Sequence, residues 1–334
     1  VIQQATLQIL TPIFEEGFSE SSYGFRPKRS AHNAIVKAKE YVTAGNIYVV
    51  DIDLEKFFDK IQHEVLMKRV GRKVKDRRVL TLIRSYLKSG IMEEGVCIIS
   101  TEGTPQGGPL SPLLANIMLD DLDKELEKRG RKFCRYADDC NIYVQSEKSG
   151  LRVKESITSF IERALKLKEK KSAVDRTENR QFLGYTIVHN AAYTRITIAP
   201  KSIMKFKDKV REITRCRSNL SIEHRLNQIR NYFRGWLQFF ALCEFGWMFG
   251  RLDSWVRRRL RMCLWVDWKK PGRRLKELMK LGIPKPKAKG NAYSSLGKWA
   301  MSHNYTMNLA LKDTVLLQMG YYSLSINYHR IRKY

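Results

Sequence analysis

Two neighbouring acids carry the strongest chemical signal in the chain. In Phe133-Cys134-Arg135-Tyr136-Ala137-Asp138-Asp139-Cys140-Asn141-Ile142-Tyr143-Val144, two β-prone runs flank Ala137-Asp138-Asp139. That pattern predicts a hairpin with two carboxylates at its tip. Adjacent carboxylates repel, and a bound divalent cation is the usual compensation; hard oxygen ligands suit Mg²⁺. As a short motif it is equally an ordinary solvated turn, where Asp is common. A third acid upstream separates the two readings. Ile47 to Ile52 is a β-branched and aromatic run typical of a buried strand, and Asp51 and Asp53 at its end share one face. Either could join Asp138 and Asp139 around two cations about 3.5–4 Å apart. Such a pair serves in-line phosphoryl displacement: one metal activates an attacking 3′-hydroxyl, the other stabilises a leaving pyrophosphate.

The elements that must position these acids are a strand, a hairpin and the helices that back them. Residues 2–14 show helical periodicity, interrupted at Pro12. Ser30 is an N-cap for a helix to about Val42. Residues 61–89 read as basic amphipathic helices split near Gly71, and Gly103 to Pro109 as a rigid, glycine-bearing loop. Ser111 as N-cap and Pro112 at the first position open a helix to about Arg129. It turns Leu114, Ile117, Leu122 and Leu126 inward and leaves Asp120, Asp121, Asp123 and Glu125 on a solvated face. Val153 to Leu167 is a further helix, Ala173-Val174 a strand, and Phe182 to Val188 with Arg195 to Ala199 a last hairpin. Pro200 marks a boundary. Beyond it lie helices at about 202–217, 221–241 and 251–267, then a basic linker over 269–290.

The chain has 334 residues, 62 Lys plus Arg and 34 Asp plus Glu. The net charge of +28 is uneven, with 29 basic against 8 acidic residues from position 200 onward. Such a surplus is the footprint of a polyanion partner. No run of about 18 apolar residues offers a membrane span, so nucleic acid is favoured over membrane. The six cysteines form no C-x-x-C pair; neither a zinc site nor a disulfide framework is suggested, and they read as small buried apolar residues in a reducing cytoplasm. All six tryptophans lie at or after Trp236; at helical spacing most are expected to pack in a core.

Asp53 to Asp59 (DLEKFFD), Thr104 to Leu114 (TPQGGPLSPLL) and Tyr136 to Asp139 (YADD) resemble the sequence blocks of reverse transcriptases. The resemblance is closest to bacterial group II intron-encoded reverse transcriptase/maturases of the compact, endonuclease-lacking, group IIC-like kind. Ser22-Tyr23-Gly24-Phe25-Arg26-Pro27, Phe182-Leu183-Gly184-Tyr185 and Arg234-Gly235-Trp236 agree in order and spacing, over about residues 1 to 270.

That resemblance implies an α+β right-hand polymerase. Fingers and palm with an antiparallel ferredoxin-like sheet would span 1–199. A helical thumb or maturase X domain would follow over 200–270, then a basic C-terminal region over 271–334. The family pattern puts the catalytic Asp five residues before a bulky aromatic, which selects Asp53 over Asp51. Asp53, Asp138 and Asp139 would hold two Mg²⁺. Phe58 would pack under the incoming sugar and exclude a 2′-hydroxyl, with Phe57 in the core. Gln106 and Gly107 would meet nucleotide or template, and Lys171 the triphosphate, although its loop is about two residues shorter than in relatives. Arg26 and Lys28 would touch template. Arg257, Arg258, Arg259 and Arg261 would clamp a duplex through phosphates.

The implied function is RNA-directed DNA synthesis together with intron maturation. The partners would be group II intron RNA, an RNA template with a DNA primer, a DNA target and dNTPs. Relatives carry a further basic segment ahead of the position of Val1 that helps hold template and triphosphate. Two alternatives remain open: an RNA-binding splicing cofactor with an idle polymerase site, and a reverse transcriptase of another bacterial lineage, such as a retron.

Overall fold

In the computed structural model, residues 1–54, 56–89, 91–93, 96–98, 102–104, 107–167, 172–215 and 220–332 are described. The chain divides into two units, Val1–Ile196 and Thr197–Tyr334.

The first unit begins with helix α1 (Ile2–Glu15), which buries Thr6, Leu10 and Phe14 along one face. The helix runs through Pro12 rather than stopping there. The carbonyl that Pro12 cannot bond belongs to Gln8, an exposed residue. Helix α2 (Ala31–Thr43) starts where expected, with Ser30 Oγ accepting from the Asn33 amide at 3.2 Å. Strand β1 (Tyr48–Ile52) follows, then a short helix α3 (Phe57–Lys60). Helix α4 (His63–Lys73) continues past Gly71. The break falls instead at Asp76, whose carboxylate caps α5 (Arg77–Lys88) by accepting from Arg78 N at 2.7 Å. Strands β2 (Ile91–Glu93) and β3 (Val96–Ile98) form a small hairpin.

Helix α6 (Ser111–Lys128), strands β4 (Lys132–Tyr136) and β5 (Asp139–Val144), helix α7 (Glu147–Phe160) and strand β6 (Ala173–Arg176) complete the main layer. A π-turn over Ile161–Leu165 extends α7. The four-stranded sheet has the order β4-β5-β1-β6, with every pairing antiparallel. Counting only its strands, the chain runs β-α-β-β-α-β with spatial order 2-3-1-4, the ferredoxin-like arrangement. Val50, Ile52, Phe133 and Ile142 from the sheet share one core with Leu114, Ile117, Met118 and Leu122 of α6 and Val153 and Ile157 of α7. Each such side chain contributes roughly 1.5–3 kcal/mol on burial. Strands β7 (Tyr185–His189) and β8 (Thr194–Ile198) make a separate hairpin.

The acidic face expected to be solvated on α6 is not. Asp123 has no solvent exposure and pairs with Arg135. Asp121 binds Arg69 at 2.9 Å and Arg72 at 2.5 Å. Helix α6 is covered on more than its apolar stripe, so its carboxylates needed cationic partners.

The second unit is helical. Helices α8 (Pro200–Ile213), α9 (Ile222–Phe240) and α10 (Trp247–Asp267) bury Phe206, Phe233, Trp236, Phe249 and Trp265. The basic stretch expected to be a linker forms two helices, α11 (Pro271–Lys280) and α12 (Lys285–Ala292), each with Pro in its first turn, where a missing N–H costs nothing. Short helices α13 (Lys298–Met301), α14 (Tyr305–Ala310), α15 (Asp313–Gln318) and α16 (Leu324–Ile331) follow in the same unit. The Asp253 carboxylate, 1% exposed, accepts from Tyr321 Oη at 2.6 Å, Ser323 Oγ at 2.8 Å and the amides of Leu324 and Ser325 at 2.9 and 2.8 Å, which caps α16 from α10. Among the described residues, no helix is long and apolar enough to cross a membrane.

Candidate active site

The β1–β5 ladder ends with Ile52 opposite Cys140 and Asp51 opposite Asn141. One step further the register sets Asp53 across from Asp139, and the two-residue alternation puts Asp51, Asp53 and Asp139 on one face. Tyr136 pairs with Asp139, so Ala137 and Asp138 form a two-residue turn. Ala137 has φ 58°, the left-handed conformation a primed hairpin turn needs at its first central position. The Asp53 amide donates to Ser172 Oγ at 3.1 Å, which ties the end of β1 to the start of β6.

Asp139 is the electrostatic centre of this group. Burial pushes its carboxyl up to about 7, and the charges of Asp51, Asp138 and Asp53 push the same way. The Leu183 amide donates to it and opposes the rise. That amide is presented by a tight turn in which Leu183 and Gly184 both have positive φ, 50° and 79°. Asp51 is held by an ion pair with Arg180; Asp53 is exposed. Hard oxygens that repel one another suit a divalent cation in kind. As placed they do not enclose one: among the described residues, no group of three or more His, Cys, Asp or Glu could hold a metal ion.

The turn is clamped from behind. Arg135, with no solvent exposure, donates Nε to Asp123 Oδ1 at 2.7 Å, Nη2 to Asp123 Oδ2 at 2.5 Å and to Ser22 Oγ at 2.8 Å, and Nη1 to Asn116 Oδ1 at 3.0 Å and the Ala137 carbonyl at 2.9 Å. The segment Ser21 to Gly24 lies along β4: the Tyr23 amide donates to Arg135 O at 2.8 Å, the Arg135 amide to Ser21 O at 2.9 Å, and Asn116 Nδ2 to Gly24 O at 2.8 Å. Gly24 sits so close to the turn that a Cβ would stand 2.4 Å from Ala137 N. Phe25, φ 56° and exposed, places its ring 5.9 Å from that of Tyr136.

Phe58 follows β1 on α3. It is half-buried and packs edge-on, at 5.2 Å, against the buried Phe57. Its carbonyl accepts from the Thr104 amide at 2.7 Å, and the Gly103 amide donates to Ile61 O at 2.7 Å, so this short helix is stapled to the glycine-bearing loop. Gly107 in that loop is exposed with φ 87°. Gln106 and Lys171 lie outside the described residues.

The arginines expected on nucleic acid are largely turned inward. Arg26, expected on template, is 8% exposed; its guanidinium grips Glu15 at 2.8 Å and the carbonyls of Ser19 and Ser22. Lys28 is exposed. Arg257 pairs with Asp313 at 2.7 Å. Arg258 lies 3.9 Å from the Trp299 ring centre. Arg259 donates to Thr214 Oγ1 at 2.8 Å. Arg261 is buried and donates to Leu311 O at 3.1 and 3.0 Å. A guanidinium needs partners for its donors, and these four sit among carbonyls, hydroxyls and an aromatic face within their own unit. Ser172, Arg135, Asp123 and Asn116 were not singled out as site residues. The one signal for them in the sequence was an Arg inside an otherwise apolar strand, which demands a buried acid elsewhere.

Residues 1–187 match the family model described as reverse transcriptase (RNA-dependent DNA polymerase). Residues 203–282 match that of the group II intron, maturase-specific domain. Protein YkfC of Escherichia coli (strain K12) is 32% identical over 229 residues, 56% of this chain and 60% of that one. Group II intron-encoded protein LtrA of Lactococcus lactis subsp. cremoris is 42% identical over 135 residues, 40% of this chain and 22% of that one. Nuclear intron maturase 1, mitochondrial, of Arabidopsis thaliana is 25% identical over 276 residues, 67% and 38% of the two chains. The chain thus spans less than two thirds of the length of each of these relatives.

Proposed function

Because the chain belongs to the reverse transcriptase family, with its match over residues 1–187, we propose that it is an RNA-directed DNA polymerase and a group II intron maturase. It would bind its intron RNA, assist splicing and copy the intron at a DNA target during retrohoming. The observation that carries the polymerase half is the strand register with Ile52 opposite Cys140, which continued one step would bring Asp53 to Asp139, with Asp138 in the adjoining turn. The match of residues 203–282 to the maturase-specific domain supports the other half.

In this reading the substrates are an RNA template, a DNA primer and dNTPs. Asp53, Asp138 and Asp139 would hold the divalent cations, two Mg²⁺, which when bound would lower the pKa of the primer hydroxyl and offset charge on the leaving pyrophosphate. Phe58 would bar a ribose 2′-hydroxyl, while Gly107, Gln106 and Lys171 would line the nucleotide's path. Arg135 would keep the turn rigid through the Ala137 carbonyl, and Ser172 would fix the backbone of Asp53. Lys28 would reach template. The fingers and palm would end near residue 199, and the thumb and the basic C-terminal region would follow.

Primer extension on an RNA template with dNTPs and Mg²⁺ tests the polymerase. Asp138→Ala should abolish synthesis and leave RNA binding intact. A wild-type chain that binds and splices intron RNA yet extends no primer would move the assignment to a splicing cofactor with an idle site.

A further inference from the structure

Three arginines from two helices far apart in sequence converge on one cavity of the second unit. Arg230 and Arg234 stand one turn apart on α9, and Arg330 lies near the end of α16. With Tyr322, Asn327 and Ile326 they line a space of about 530 Å³, and no Asp or Glu lines it. The acids nearby are already committed. Asp313 binds Arg257, and Asp253 accepts four hydrogen bonds at the start of α16. Among the described residues, Arg234 and Arg330 have no ion-pair partner, and both are exposed.

Arg230 is oriented. Its Nη2 donates to the Gly320 carbonyl at 3.0 Å, and Gly320 has φ 98°, a conformation that leaves its backbone within reach of the guanidinium. Guanidiniums stay charged at any pH the protein meets. Gathering three in a concave, partly apolar recess focuses a positive potential there. Their planar forks fit phosphate oxygens in pairs. The volume falls in the range of small-ligand sites, about 300–1,000 Å³, and so admits a nucleotide unit as well as a lone phosphate.

We propose that this recess is a binding site for one nucleotide of single-stranded RNA, with its phosphodiester on Arg230, Arg234 and Arg330 and its base against Tyr322. This rests on the reading that the chain binds RNA. A nucleotide must leave its stack to enter a recess, which favours a single strand over a duplex. Asn327 commits its Nδ2 to Ser323 O at 2.6 Å, which keeps its carbonyl oxygen as an acceptor for a ribose 2′-hydroxyl. Most of the lining, from Leu317 to Arg330, lies beyond residues 203–282, the part that matches the maturase-specific domain.

The test uses the full chain with Arg234→Ala/Arg330→Ala, Arg234→Lys/Arg330→Lys and Tyr322→Ala, a fluorescein-labelled oligouridylate, and the DNA oligomer of equal length. Thermal melts establish that each variant is folded. The double alanine variant should lose about 10- to 100-fold in RNA affinity, and its log–log salt slope should fall by about 0.7 for each phosphate no longer neutralised. The lysine variant should recover part of the affinity. Tyr322→Ala should weaken RNA by about tenfold, within the range for one stacked base. RNA affinity and salt slope equal to wild type in the double alanine variant would overturn the site. Equal losses for RNA and DNA would overturn its assignment to RNA. Primer extension by the wild-type chain is measured alongside; its failure would count against the polymerase reading alone and leave the binding result to stand.

Discussion

Arg135 and Asp123 face each other with no solvent exposure on either side chain, joined by two hydrogen bonds of 2.7 and 2.5 Å. The same guanidinium holds the Ala137 carbonyl, so a buried ion pair is the anchor of the acidic turn. Removing one member of such a pair leaves the other charged and dehydrated, at a cost of about 3–5 kcal/mol. Asp123→Ala should therefore lower the unfolding free energy by that order in a denaturant titration. Arg135→Met/Asp123→Leu should recover most of the stability. On the proposed reading its primer extension should stay depressed, because the turn has lost its tether. Full recovery of extension would make the pair a matter of stability alone.

Gly24→Ala tests the close approach behind the turn. A Cβ 2.4 Å from Ala137 N meets backbone, which cannot swing aside. The substitution should cost about 1–3 kcal/mol of stability, in line with overpacking, and extension should fall more than template binding does. A variant with wild-type stability and kinetics would mean that the loop can withdraw freely.

Phe58→Ala should admit ribonucleotides. The ring is half-buried against Phe57, so truncation opens space without hollowing the core. Competition between a dNTP and the matching rNTP during primer extension measures the effect. Unchanged discrimination would place the steric gate on another residue.

Asp120 offers a pH signature beside the Arg135–Asp123 pair. Burial raises its carboxyl to about 6, and Oδ1 has no hydrogen-bond partner among the described residues. The folded state therefore holds this proton more tightly than the unfolded chain, whose Asp titrates near 3.9. The resulting stabilisation is complete below that lower value and is lost as pH rises through about 6. Above it, the charge costs at most about 3 kcal/mol, less what solvent screens at this partly exposed site. Asp120→Asn should stabilise the protein at pH 8 and make little difference at pH 4. Equal effects at both pH values would show that the carboxyl is ordinary.

Arg261→Ala separates packing from phosphate binding on α10. Its guanidinium is buried and bonded to Leu311 O. The variant should lose stability by about 1–3 kcal/mol, the cost of an unsatisfied buried acceptor, while the salt dependence of RNA binding keeps its wild-type slope. A shallower slope would return Arg261 to the nucleic-acid surface.

Local pattern made the acids readable. Asp51 and Asp53 sit two apart on a strand, and Asp138 and Asp139 lie between two β-prone runs, so period and turn chemistry placed each pair on its element, and the family resemblance set the two elements side by side. The ladder from Asp51–Asn141 to Ile52–Cys140 is what those patterns require. The roles of the arginines were not readable in the same way. Arg26 and Arg261 look in sequence like any basic residues of a nucleic-acid-binding chain. What turns them inward is Glu15 in one case and the Leu311 carbonyl in the other, 11 and 50 residues away. A long aliphatic stem lets guanidinium sit in a core when acceptors are waiting, and only the fold decides whether they are. Helices α11 and α12 escaped for a related reason: their Lys and Pro content resembles a tether, yet Leu278 and Ala288 are fully buried.

The four donors that converge on Asp253 make the last stretch of the second unit indispensable to the middle of it. Cutting the polypeptide ahead of Tyr321 would strand an anion inside α10 with nothing to answer it, and would also take away Tyr328, whose ring stacks on Phe249 at 4.3 Å. A shortened protein should therefore fail by collapse of the helical unit, well before any question of what its tail recognises arises.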